Sequence, residues 1–83
     1  MNRRKLLRRL AMGAMQNVAL VDVIDLVEGF GFRQIRVRGS HRIFARDGVS
    51  EILNLQDFGG QCKPYQIRQS LRIVERYNLE IED

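Results

Sequence analysis

Residues 31–55 read Gly-Phe-Arg-Gln-Ile-Arg-Val-Arg-Gly-Ser-His-Arg-Ile-Phe-Ala-Arg-Asp-Gly-Val-Ser-Glu-Ile-Leu-Asn-Leu, and the fold turns on them. Residues 32–38 alternate, with Ile35 and Val37 on one side and Gln34, Arg36 and Arg38 on the other. A period of two marks a strand, here one with a basic face. Gly39-Ser40 is a tight turn. Residues 41–46 form a second strand, closed by Asp47-Gly48, a strong hairpin-turn dipeptide. Residues 49–55 form a third. Alternation lapses there, so the pattern leaves open which face Ile43 and Phe44 occupy.

On either side of this stretch the period changes. Over residues 20–30, Leu20, Val23, Ile24, Val27 and Phe30 follow a three-four spacing, while Asp22, Asp25 and Glu28 lie mostly off that face. This is an amphipathic helix, and Gly31 stands where the chain must turn out of it. Beyond the strands, Gly59-Gly60 marks a loop and Pro64 suits the first turn of a last helix. Ile67, Ser70, Leu71 and Val74 make its apolar face. Arg68, Arg72 and Arg76, four apart, make a basic stripe. Residues 1–16 give a further helix, with Leu6, Leu7, Leu10, Ala11 and Ala14 at helical spacing and Arg4, Arg8 and Arg9 elsewhere on the wheel. Basic charge in its first turn opposes the helix dipole, so its start should fray. It either docks on the body or packs on a second copy, which would make a homodimer. The order predicts an α+β domain, a three-stranded antiparallel sheet with helices packed on one face. Residues 1–83 are a single domain, in which residues 20–78 form the core and 1–16 an added N-terminal helix.

Length and composition bound the function. A chain of 83 residues buries about 60% of the surface it exposes when unfolded, which excludes large multi-domain enzymes. Hydrophobic residues at 45% and charged residues at 29% are ordinary for a globular domain. No apolar run is long enough to span a membrane. The start, Met-Asn-Arg-Arg-Lys-Leu-Leu, is like the charged end of a secretory signal, but the apolar stretch after it stops at Gln16-Asn17, too soon for one. Cys62 is alone, so no internal disulfide or multi-cysteine zinc site forms, and a reducing, cytoplasmic setting is expected. Fourteen Lys and Arg against ten Asp and Glu give a net charge of +4. All but Lys63 fall in three blocks, at residues 3–9, 33–46 and 68–76. Arginine dominates, and its planar fork suits phosphate. A polyanion, nucleic acid first, is the implied partner, although a solvated basic surface has the same composition.

Chemistry points to one residue. The carboxylates are scattered, and no phosphate-binding or dinucleotide motif exists. Cys62 reads as a small inert side chain. His41, the only histidine, opens a strand among Arg38 and Arg42. An imidazole can take the proton of a ribose 2′-hydroxyl, and a nearby Arg or Lys can stabilise the charge that develops as the oxygen attacks the adjacent phosphate. That chemistry needs no metal and no cofactor. A strand histidine is also commonly structural, and no second acid for the leaving oxygen is identifiable.

Gly31-Phe32, Gly39-Ser40-His41-Arg42-Ile43-Phe44, Gly59-Gly60 and Lys63-Pro64-Tyr65-Gln66-Ile67-Arg68 occur in an order and spacing that resembles the HicA, or YcfA-like, toxin family. The Gly-Ser-His-x-Ile-Phe block is the specific part, and the likeness covers roughly residues 20–78. Val74-Glu75-Arg76-Tyr77-Asn78-Leu79 and the extra helix are similar to an extended subgroup. The resemblance implies a fold like the double-stranded RNA-binding domain and a messenger-RNA endoribonuclease acting without a metal. It implies that His41 is catalytic and that a HicB-like antitoxin covers it. Two positions depart from the pattern: Arg42 and Phe58 stand where many members carry histidine.

The RNA-binding residues so expected are Arg36, Arg38, Ser40, Arg42, Lys63, Arg68 and Arg72. Ser40 either shapes its turn or contacts phosphate. Lys63 either stabilises a phosphate oxygen or is solvated ahead of Pro64. Phe44 is expected in the core rather than under a base. Three readings stand side by side: a ribonuclease toxin with His41 as general base, a non-catalytic RNA-binding module using the basic patches, and an interaction module for an acidic antitoxin.

Overall fold

The computed structural model describes residues 2–82. In chain order the elements are α1 (Arg3–Ala11), β1 (Val18–Ala19), α2 (Leu20–Gly29), β2 (Arg33–Arg38), β3 (His41–Ala45), β4 (Leu53–Gln56), β5 (Gln61–Cys62) and α3 (Pro64–Arg76). The domain is α+β. A three-stranded antiparallel sheet has the order β2-β3-β4, and β1 and β5 make a separate two-stranded ribbon.

Register settles the two faces of the sheet. Phe44 pairs with Leu53 and Arg42 with Leu55, while Ile43 pairs with Asn54 and His41 with Gln56. Phe44 is wholly buried, as are Leu53 and Leu55. These side chains meet Leu20, Val23, Leu26 and Val27 of α2 and Ile67 and Ile73 of α3 in one core. Each buried side chain of this size contributes roughly 1.5–3 kcal/mol by leaving water. With the helices on that face, the period of two turns His41, Ile43 and Asn54 to the opposite face.

Local signals account for the element ends. Gly31, at φ 92°, ends α2, and the Phe32 N–H bonds the Val27 carbonyl at 3.1 Å while the Gly31 N–H bonds that of Glu28 at 2.9 Å. This pair of bonds closes a helix through a left-handed residue. A Cβ there would stand 2.8 Å from Arg46 Nε, which donates to the Phe30 carbonyl. Pro64 opens α3 behind Lys63.

Several expectations are corrected. The N-terminal helix spans Arg3–Ala11 rather than residues 1–16, of which Met1 lies outside the described residues. It docks on the body, one of the two placements expected of it, and joins the core: Leu6 and Leu10 are 1% exposed. Its start is held: Asn2 Oδ1 accepts the Arg4 and Lys5 N–H groups, and Arg3 bonds Asp25 and the Glu82 carbonyl. A side-chain cap and a cross-helix ion pair offset the unfavourable charge.

The third strand begins at Leu53 rather than residue 49. Asp47-Gly48 does turn the chain, since the Val49 N–H bonds the Arg46 carbonyl. Residues 50–51 then leave the ladder to bond with the end of α3. Ile35 and Val37 do not share a face: the register shift between Gln34 and Arg36 puts Ile35 with Arg36 and Arg38, while Val37 pairs with Arg42. All six residues of this edge strand are exposed. Gly59-Gly60 is more than a loop. Both glycines have positive φ, and Phe58 bridges Gln61 across them, forming a tight hairpin turn that launches β5. The buried face of α3 is also rotated: Gln66 and Ile73 join Ile67 and Ser70 inside, and Leu71 and Val74 are half-buried.

Candidate functional site

His41 opens β3 directly after the Gly39-Ser40 turn, opposite Arg38 on one side and Gln56 on the other. Asn54 is its diagonal neighbour on the outer face, within reach of a ring side chain. The His41 Nδ1–H donates to Asn54 Oδ1 at 2.9 Å. An amide oxygen only accepts, so with the Asn54 amide in this orientation a neutral ring carries its proton on Nδ1 and its lone pair on Nε2.

The surroundings form an open groove of about 670 Å³, lined by Ile35, Arg36, Arg38, His41, Ile43, Ile52 and Asn54. A register shift between Gln34 and Arg36 interrupts the β2–β3 ladder. Such a bulge re-aims side chains, and here Ile35 joins Arg36 and Arg38 on one groove. Among the described residues no carboxylate pairs with Arg36 or Arg38. The groove therefore offers two unengaged guanidinium groups, an imidazole with a free acceptor nitrogen, and an apolar floor. A phosphodiester chain matches those charges, and a proton acceptor lies beside them.

The other expected residues are placed elsewhere. Ser40 is in the adjoining turn, where its carbonyl accepts the Asp57 N–H at 2.8 Å. Arg42 points to the other face of β3. Lys63 precedes α3 with its Nζ 5.2 Å from the centre of the Phe58 ring, a cation–π contact. Arg68 and Arg72 are exposed on α3, which packs against the helix-covered face. Arg76, the third member of their stripe, forms an ion pair with Glu51. The structure thus brings His41, Arg36 and Arg38 together, with Ser40 next to them, and leaves Arg42, Lys63, Arg68 and Arg72 outside the groove lining.

Asn54 escaped the reading of the sequence. Its signal is a polar residue between Leu53 and Leu55, which places it on the outer face. Only the register joins it to His41. Gln66 escaped as well. It is buried, and its Oε1 accepts the Gln56 N–H at 3.0 Å, tying α3 to the end of β4.

Two further titratable groups are accounted for by packing. Burial pushes the Cys62 thiol up to about 11, so it stays protonated at neutral pH. Glu51 is held down at about 2, first by the Tyr77 hydroxyl and then by the Ser50 hydroxyl, with Arg76 adding to them. Among the described residues, no three His, Cys, Asp or Glu side chains converge as a metal-binding set. No helix among them is long and apolar enough to cross a membrane. No family model, curated protein or solved structure matches the chain.

Proposed function

We propose that the chain is a metal-independent endoribonuclease of the HicA kind, in which His41 is the general base. The observation that carries this reading is the hydrogen bond from His41 Nδ1 to Asn54 Oδ1, inside a groove flanked by Arg36 and Arg38. Nε2 takes the proton of a ribose 2′-hydroxyl. The 2′-oxygen forms a bond to phosphorus, and the bond from phosphorus to the 5′-oxygen breaks. The products are a 2′,3′-cyclic phosphate and a 5′-hydroxyl, whose proton comes from water or from His41 in its protonated form. Arg36 and Arg38 stabilise the charge on the phosphoryl oxygens.

A fold of the double-stranded RNA-binding type, messenger RNA as substrate, a HicB-like antitoxin as the neutralising partner and a cytoplasmic location belong to the same proposal. They rest on the blocks around His41 and Lys63. The test is cleavage of a labelled mixed-sequence RNA by the purified chain in EDTA, beside folded His41→Ala. Cutting by the wild type alone, with cyclic phosphate ends, is the expected result. No cutting by either sinks the reading.

A second reading has its own support. Arg68 and Arg72 are exposed on α3, away from His41. They suit an RNA-binding module that works without catalysis. That module keeps salt-sensitive RNA binding in His41→Ala and loses it in Arg68→Ala/Arg72→Ala.

A further inference from the structure

β2 is the end of its sheet, so among the described residues one of its sides has no neighbouring strand. Along an antiparallel edge every second N–H and carbonyl points away from the sheet. Ile35 and Val37 are 59% and 50% exposed on the same strand. An edge of this kind is a template for another strand unless something blunts it. Arg33, Arg36 and Arg38 blunt it against a second copy of this chain, because pairing β2 with itself crowds arginines together, and like charges across a ladder destabilise it. The same charges favour a strand of opposite sign.

We propose that β2 is a docking edge for an extended acidic segment of a partner protein. The segment adds as a fourth strand, with alternate Asp or Glu side chains beside Arg36 and Arg38 and apolar ones over Val37. Main-chain hydrogen bonds supply the affinity in this mode, and the alternating side chains supply the specificity. A nucleic acid also meets the two arginines, but it completes no row of N–H and carbonyl groups. A strand in this position overhangs the groove and takes the arginines that RNA would need. Only that competition rests on the ribonuclease reading; the docking rests on the edge itself.

The probe is a capped synthetic peptide of alternating Glu and Val, of strand length, titrated into the full chain at low salt. Backbone amide shifts and hydrogen exchange locate it. The expected result is protection concentrated in β2 and binding at least ~10-fold tighter than that of the matching Lys–Val peptide. Arg36→Glu/Arg38→Glu, both exposed positions, should invert that preference. Methylating every second peptide amide should abolish binding in one of the two methylation registers and spare it in the other.

Equal binding of both peptides overturns the proposal. So does protection on α3 in place of β2, or indifference to both methylation patterns, which would mean charge contact without strand pairing. A wild-type dimer closed through β2 overturns it in favour of a second copy. An RNA that protects the β2 amides where the acidic peptide does not overturns it in favour of nucleic acid. Docking on β2 by a chain that cuts no RNA upholds the proposal and removes the ribonuclease reading alone.

Discussion

Glu51 and Asn54 lie close together in the chain, yet their surroundings are opposites. The Glu51 carboxylate accepts bonds from the Tyr77 and Ser50 hydroxyls and pairs with Arg76. Its capacity is spent inside the protein, tying the approach to β4 to the end of α3. Asn54 accepts one bond, from His41, and faces a groove whose two arginines have no carboxylate partner among the described residues. A satisfied polar cluster contributes to folding, whereas one with spare donors and acceptors on an open face is ready for a ligand. The difference is not in the residue types, since both clusters hold a titratable group and arginine. It lies in which element covers them.

The sharpest break between the two clusters is His41→Ala. It should slow RNA cleavage by about 10²–10⁴-fold, the usual share of a general base. The same change should leave stability within ~0.5 kcal/mol, because His41 is on the open face. Single-turnover cleavage and urea unfolding of one preparation measure both. Cleavage at the wild-type rate would move the chemistry elsewhere.

Asn54→Leu comes next. It removes the acceptor that orients the ring while leaving the arginines in place. A ten- to hundredfold fall in kcat, roughly what a small misplacement costs, is expected with KM little changed. A rise in KM with kcat intact would make Asn54 a substrate contact instead. Arg36→Ala and Arg38→Ala should each weaken RNA binding and lower the slope of log K against log salt by about one. An unchanged slope would place the RNA on the α3 stripe.

The closed cluster should respond the other way. Glu51→Gln should lower the melting temperature near neutral pH and leave cleavage untouched. Because the folded protein holds this carboxyl at about 2 against an ordinary 4.5, its contribution is complete above pH 4.5. It is lost as the pH falls from there toward 2. The wild type should therefore lose thermal stability over that window more steeply than Glu51→Gln, and parallel curves would refute the role. The smallest expected effect is at Cys62. Its buried thiol, raised to about 11, should react with iodoacetamide only as fast as the domain opens, and rapid labelling at pH 7 would contradict that packing.

Much of the frame was legible in the residues. Alternation marked β2, the turns on either side marked β3, Gly31 marked the end of α2, and Pro64 marked the start of α3. Each is a short-range signal, decided by sterics within a few residues. The third strand was misjudged at its start because Ser50 and Glu51 have partners far along the chain, at Arg76 and Tyr77. The β1–β5 ribbon was missed because two-residue strands carry no period. The candidate site was half legible. His41 stood out as the only histidine, and Arg36 and Arg38 by alternation, but the polar position of Asn54 between two leucines said nothing of its pairing with His41. Arg42, Lys63, Arg68 and Arg72 looked equivalent to the groove arginines because charge in a sequence has no direction.

By itself, the sequence determined an α+β chain with a basic, hairpin-borne histidine, since periodicity, turn residues and charge are local properties. Tertiary structure alone decided that β2 is an exposed edge, that α1 belongs to the core, and that His41 meets Asn54 on the uncovered face. Those outcomes depend on which strands pair, in what register, and under which helices. Such choices are made by contacts between residues distant in the chain, and no window of sequence contains both partners.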